Sequence, residues 1–322
     1  MGAPRGSGAW TVGRLRLCAR RGIASIPCGE WPINGPWGRH GPVTTETGQR
    51  TELGEVLRGW RARRRISQLE LATRAGTTQR HVSFMESGRS RPGRAMVVRL
   101  AEALEIPLRE RNALLLAAGY APAYKETRFE DPRLGAVRAA LERIMAAHHP
   151  YPAVIIDRGA DLVAANDAFD ALVAGVDARL LEAPVNIARV LLHPRGLAPR
   201  IQNLDEWAWH VVDSLRDGAA RNPYPGTSEL LAELQRYVPG RPRRTDPDYL
   251  GLAVPLRLTS PVGELRLLST LTHFGTAVDV TLAELRLEAF LPLDEETADR
   301  LSALAPRERP GRSPRPGAPG AD

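Results

Sequence analysis

The stretch SQLELATRAGTTQRHVSFMESGRSRP, Ser67 to Pro92, constrains the fold more than any other part of this 322-residue chain. Ser67-Gln-Leu-Glu70 has the form of a capping box, with Ser67 at the N-cap and Glu70 able to reach back. The helix it opens carries Leu71, Ala72 and Ala75 on one face and stops at Gly76. A second short helix is predicted from after Thr77 to Gly88, a residue suited to the C′ position. Its Val82 and Met85 are three apart and share one face. Ala72 falls where the two helices cross, and a larger side chain there would force them apart. Gly76 falls at the turn, where a positive φ is least costly for glycine. Small residue at the crossing, glycine at the turn and an apolar pair along the second helix make helix-turn-helix spacing. The outward face then holds Thr78, Gln79, Arg80, His81, Ser83 and Phe84.

The surrounding sequence is helical as well. Leu53, Val56, Leu57 and Trp60 follow a 3.6-residue period, RAMVVRLAEALEI reads as a helix ending before Pro107, and LRERNALLLAAGY as one ending at Gly119. Five helices within residues 51–120 predict a compact all-α domain. Charge is divided sharply: residues 53–119 hold 13 Arg against 6 acids, whereas residues 120–304 hold 20 basic and 26 acidic residues. A basic unit beside an acidic one predicts that the first meets a polyanion and the second does not. A Gln-Arg-His face on an arbitrary helix is ordinarily solvated surface; here the spacing and the local charge favour contact. Arg63, Arg64 and Arg65 by themselves read as a solvated charge run.

Residues 1–50, basic and rich in Gly and Pro, are expected to be a disordered leader, and an initiation site near Val43 would remove most of it. Residues 305–322 are expected to be a disordered tail. A linker helix is assigned to residues 121–149. In residues 150–304, PAVIIDRGADLVAAND reads as a hairpin around Asp157-Arg-Gly-Ala160. Helices follow near 166–174, 185–192, 204–220 and 227–237, then strands in LGLAVPLRLT and GELRLLSTLTHF. In the second, Leu265, Leu267 and Leu271 share a face. TLAELRLEAF carries a helix-capping pattern at Thr281 and Glu284, but its Leu285, Leu287, Ala289 and Leu291 alternate, so it is read as a strand. The sum is an α+β sheet domain. No apolar run approaches the roughly 20 residues of a membrane helix. Cys18 and Cys28 are too few for a disulfide framework or closed zinc site, no histidine has a partner at metal-ligand spacing, and no nucleophile or phosphate-loop motif occurs.

SQLELATRAGTTQRHVSFMESGRSRP resembles the XRE helix-turn-helix family of phage-repressor and Cro-like proteins. LRLAEALEIPLRERNALLLAAGYAP, HPYPAVIIDRGADLVAAND, HPRG and LSTLTHFGTAVDVTLAELRLEAFLPLDEET, in that order, resemble bacterial regulators with a C-terminal MmyB-like, PAS-like ligand-binding domain. The resemblance spans about residues 52–304. It implies a lambda-repressor-like five-helix DNA-binding domain followed by an α+β PAS-like domain. It implies a cytoplasmic, nucleoid-associated, non-enzymatic transcription regulator that binds an operator in double-stranded DNA as a homodimer. In this reading the N-terminal side chains of the recognition helix meet base edges: Gln79 pairs with adenine and Arg80 with guanine. Gln68 binds a phosphate, and Arg89 and Arg91 hold the backbone beyond the helix. Phe84 departs from the polar residue that many relatives carry there. The resemblance also implies an ion pair between Arg61 and Glu86 that braces the first helix against the third.

The same resemblance implies a small hydrophobic, fatty-acid-like ligand and no other cofactor. The pocket is expected to be lined by Ile155, Phe169, Leu172, Trp207, Val211, Leu215, Leu267 and Leu287. Two rival functions remain at this level: a second domain that only dimerises, and an enzyme built on the same scaffold. Operator, ligand identity, target genes and the sign of regulation are not written in the sequence.

Overall fold

A computed structural model describes residues 46–238, 240 and 253–305, with side chains from Leu53 onward. The expectations for residues 1–45 and 306–322 lie outside the described residues. The N-terminal unit contains α1 (Glu46–Arg64), α2 (Gln68–Arg74), α3 (Gln79–Glu86), α4 (Arg94–Ala103) and α5 (Leu108–Ala117). Helix α1 thus begins inside the expected leader. Leu57, Trp60, Leu71, Val82, Met85, Leu100, Leu104 and Leu114 close a common apolar core.

The caps explain where these helices begin. Ser67 Oγ accepts from the Glu70 amide at 3.0 Å, and Thr78 Oγ1 accepts from the His81 amide at 3.2 Å. The capping box at Ser67 is only half formed, because the Glu70 carboxylate takes a hydrogen bond from Arg74 Nε at 2.7 Å. Gly76 has φ +62° in the turn between α2 and α3. Gly54 serves a different need. A Cβ there would collide with the backbone carbonyl of Glu86, so α1 and the end of α3 approach more closely than any side chain allows.

The segment expected to be a linker helix is helical only from α6 (Gly135–Ala147), after a short 3-10 turn at Pro132–Leu134. The irregular chain before it is strapped down at both ends. Asn112 Oδ1 accepts from the amides of Ala123 and Tyr124, and Asn112 Nδ2 donates to the Tyr124 carbonyl. Farther on, the Val280 amide donates to the Lys125 carbonyl and the Thr127 amide to the Asp279 carboxylate.

The second unit has strands β1 (Ala153–Ile156), β2 (Leu162–Ala165), β3 (Leu256–Ser260), β4 (Gly263–His273) and β5 (Arg286–Pro292). They form one antiparallel sheet in the order β2-β1-β5-β4-β3. Alternation along the strands divides its two faces. Val154, Ile156, Leu256, Leu258, Leu265, Leu267 and Phe290 enter the main core. That core is covered by α7 (Asp167–Leu172), α8 (Ile187–Leu192), α9 (Leu204–Arg221), α10 (Thr227–Gln235) and α12 (Glu295–Leu304). Ala153, Ile155, Leu287 and Ala289 face the other way, where Leu141 and Met145 of α6 cover them. This is the α+β, PAS-like architecture expected from the sequence.

Three local readings change. TLAELRLEAF divides into α11 (Val280–Glu284), capped by Asp279 Oδ1 on the Thr281 amide, and β5. Leu271 shares parity with Leu265 and Leu267 but is 45% exposed, because β4 runs beyond the helices that cover its first half. Helix α12 had no counterpart in the sequence reading, and Ala305, assigned to the tail, is buried at its end.

Candidate nucleic-acid interface and sensor core

Helix α3 is short, and its inward residues Val82, Met85 and Glu86 fix its orientation. Glu86 is 4% exposed yet charged. Arg61 Nε and Nη2 donate to its two carboxylate oxygens at 2.7 and 3.0 Å. Gln68 Nε2 donates to Oε2 at 2.8 Å, and Arg58 Nη2 to the Glu86 carbonyl at 2.8 Å. Burial alone would raise the Glu86 pKa; the Arg61 and Gln68 hydrogen bonds with the Arg58 charge hold it below the ordinary carboxylate value. Three helices therefore meet on one carboxylate. Gln68, expected to bind a phosphate through its side chain, spends that side chain in the brace. Its backbone N–H lies in the first turn of α2, where amides have no intrahelical acceptor.

Outside this brace, Thr78, Gln79, Arg80, Arg89 and Arg91 are exposed, and Gln68, His81, Ser83 and Phe84 are half-buried. Gln79 and Arg80 stand at the N-terminal end of α3, where base edges are reached when such a helix enters a major groove. The guanidinium groups of Arg80 and Arg89 lie over the Phe84 ring, 5.2 and 6.0 Å from its centre. The ring is thus a platform for two cations. His81 is tied locally, its Nδ1 2.9 Å from Thr77 Oγ1. Arg91 Nη2 reaches the Ala118 carbonyl at 3.4 Å, so it leans toward the end of α5. Arg64 is more than part of a charge run: it donates to the carbonyls of Leu104 and Glu105 at 2.8 Å each, beyond the last turn of α4.

The eight expected pocket residues do not share one space. Phe169, Leu172, Trp207 and Leu267 are buried in the main core, with Val211 and Leu215 packed against it. Ile155 and Leu287 lie on the opposite face of the sheet, where they are cross-strand partners. The period of two explains the error: Val154 and Ile156, rather than Ile155, point to the main core. A cavity of about 20 Å³ lies at the edge of that core, lined by Leu215 and Leu230 among others. A cleft of about 320 Å³ opens between the two domains, between Ile106–Arg111 on one side and Val280–Glu284 on the other.

Beside that cleft is a set of ion pairs that sequence reasoning missed. Arg158, at the tip of the β1–β2 hairpin, is 7% exposed. Its Nη1 donates to Glu110 Oε1 of α5 at 2.8 Å and lies 3.4 Å from Glu284 Oε1 of α11. Arg109 of α5 forks onto Glu284 at 2.8 and 2.9 Å and also pairs with Glu126 at 2.6 Å. The Arg158 guanidinium stacks over Tyr224, 4.9 Å from the ring centre. Asp157 next to it is pushed up to about 6, chiefly by burial and further by Asp161 and Glu284. Partners up to 175 positions apart leave no periodic trace in a sequence. The one signal was a charged Asp-Arg pair in a turn between two apolar strands.

A helix-turn-helix family model matches residues 57–111. The model described as the MmyB-like transcription regulator ligand binding domain matches residues 137–304, just over half of the chain. The chain belongs to the MmyB-like transcription regulators. This regulator is similar to the clp gene regulator ClgR from Corynebacterium glutamicum, a solved structure with 24% identity over 32% of this chain and 95% of that one. The TM-score of that match is 0.20, and a likeness this loose carries no structural weight. No curated protein matches the regulator. The helix-turn-helix implies DNA as a partner, and the second domain a small-molecule ligand. Among the described residues no helix is long and apolar enough to cross a membrane.

Proposed function

We propose that this regulator binds an operator as a homodimer, in the cytoplasm and on the nucleoid, and that a small hydrophobic, fatty-acid-like ligand in the second domain sets its DNA affinity. It acts by binding rather than by catalysis. The observation that carries this reading is the exposed pair Gln79 and Arg80 on a helix braced from behind by the buried Glu86. Exposed side chains able to make bidentate contacts specify bases only if their helix is held rigidly. Ligand control needs a physical link between domains, and the ion pairs from α5 to Arg158 and Glu284 provide one. A ligand shifts DNA affinity only by its differential affinity for two arrangements of that link. Selection of bound sequences from a random DNA pool, followed by sedimentation of the complex, tests the first half. Enrichment of a two-fold symmetric site by a dimer is expected; recovery of random sequence would sink it. Denaturing mass spectrometry of the purified regulator tests the second half. The small cavity favours a second reading, in which the filled domain only dimerises. An empty protein whose Tm is unmoved by added fatty acids would establish that reading instead.

A further inference from the structure

The contact between the two domains is held but not sealed. Glu110 of α5 gives Arg158 one carboxylate oxygen, 2.8 Å from Nη1. Its other oxygen, Oε2, is buried with no hydrogen-bond partner among the described residues, and so is Arg158 Nε. Buried polar atoms without partners are costly and correspondingly rare. Here the two members of one ion pair each carry one. Arg158 also has a second acceptor close by. Glu284 Oε1 lies 3.4 Å from its Nη1, although both Glu284 oxygens are taken by the Arg109 fork at 2.8 and 2.9 Å.

The nearness of Arg158 and Glu284 is a property of the second domain alone. Ile156 of β1 pairs with Arg286 of β5, so the hairpin tip that follows Ile156 and the chain that precedes Arg286 leave the sheet side by side. Tyr224 fixes the tip as well. Its ring centre is 4.9 Å from the Arg158 guanidinium, and a Cβ at Gly159 would meet a ring carbon at 2.6 Å. We propose that the junction opens by an exchange of partners. Docked, α5 holds Arg158 through Glu110 and Glu284 through Arg109. Released, Arg158 and Glu284 close on each other, while Glu110 and Arg109 pass to the solvent that already reaches Glu126, the other partner of Arg109. Withdrawing one partner of a buried pair is strongly destabilising because it strands a charge. The exchange strands neither charge of the second domain, and it gives Arg158 Nε an acceptor. The domains therefore separate at a lower electrostatic cost than four abandoned charges would impose. This concerns how the contact opens, whatever drives it, and does not depend on the ligand.

The test is a double-mutant cycle on the full-length regulator, with Arg158→Gln and Glu284→Gln made singly and together in two backgrounds. One background is otherwise wild type. The other carries Arg109→Ala and Glu110→Ala, which withdraw the half of the contact that α5 supplies. Calorimetry gives the Tm of the second domain, and hydrogen exchange along α5 reports docking. In the wild-type background each change should lower Tm by a few degrees, and the losses should largely add, because the two residues answer to different partners. In the Arg109→Ala, Glu110→Ala background, exchange along α5 should quicken. There the double variant should melt no lower than the worse single, because either change alone removes the pair that both residues share. Additive losses in that background would overturn the exchange of partners. Unchanged exchange along α5 would overturn it too, since these charges would then not govern docking.

Discussion

Glu86 shows how one side chain settles the orientation of a recognition element. Its carboxylate is nearly inaccessible, yet Arg61 from α1 and Gln68 from α2 both donate to it. Removing the charge leaves Arg61 partly desolvated without its counter-ion, which costs more than the net worth of the pair. Glu86→Gln is expected to destabilise the helical unit by on the order of 2–3 kcal/mol, or roughly 10 °C in Tm for a unit of this size. Arg61→Met combined with Glu86→Leu should recover part of the loss, since an apolar pair of similar volume needs no compensation. The Glu86 pKa is lowered on folding, so the contribution is complete above the unfolded carboxylate value and is lost as pH falls through the folded one. Thermal melts of the three proteins across acidic pH check both statements. A Glu86→Gln melt matching wild type at neutral pH would mean that the brace is decorative. The same residues mark the limit of sequence reading. The Arg61–Glu86 pairing was legible through resemblance. The diversion of Gln68 into the brace was not, because a side chain with two available partners chooses by geometry that a linear pattern omits.

At the scale of elements, α3 is where chemistry and packing divide by face. Val82, Met85 and Glu86 hold it, and Gln79 and Arg80 are left exposed on the other face. Arg80→Ala should cost about 1–3 kcal/mol on the selected operator and relax preference at one base pair. Arg89→Ala should weaken all sequences alike and lower the salt slope by about one. Both cations rest on Phe84, so Phe84→Ala should blur the distinction and reduce both effects together. Salt-dependent titrations with cognate and random DNA separate the cases, and equal losses for Arg80→Ala on both DNAs would displace Arg80 as a reader. Helices with caps and a 3.6-residue stripe were legible in both domains, with α12 the exception, although Asp294 caps it. The failures have a common physical origin. Val280–Glu284 is a single helical turn ahead of a strand, and its apolar residues serve both periods at once. Leu271 alternates correctly but outruns its cover, and Ile155 and Leu287 alternate correctly but on the far face. Alternation reports that a face exists, not which layer covers it.

For the whole molecule the question is how a ligand in one domain is felt in the other. The two domains share a charged contact beside the cleft between them. They meet through Arg109, Glu110, Glu126, Arg158 and Glu284, with the strap of residues 120–131 hydrogen-bonded to each side. Charges that are buried and paired when such a contact is docked are hydrated when it opens, so desolvation offsets much of the pairing. Arg158 stands at the junction, with Nη1 on Glu110 and a buried Nε that has no hydrogen-bond partner among the described residues. A fatty-acid-like ligand that draws Arg158 away from Glu110 would compete with that contact, so ligand binding and docking become linked, and linkage is reciprocal. Glu110→Ala removes the DNA-binding domain's hold on Arg158 without touching α3. In that variant, hydrogen exchange should quicken along α5 and at residues 280–285, and calorimetric unfolding should separate into two transitions. Its operator affinity should no longer respond to decanoate, whereas its decanoate affinity should equal or exceed that of wild type because Glu110 no longer competes. Unchanged exchange together with a preserved ligand effect on DNA binding would show that coupling runs by another route, such as the strap alone. Weaker decanoate binding in Glu110→Ala would show that Glu110 supports Arg158 rather than competing for it.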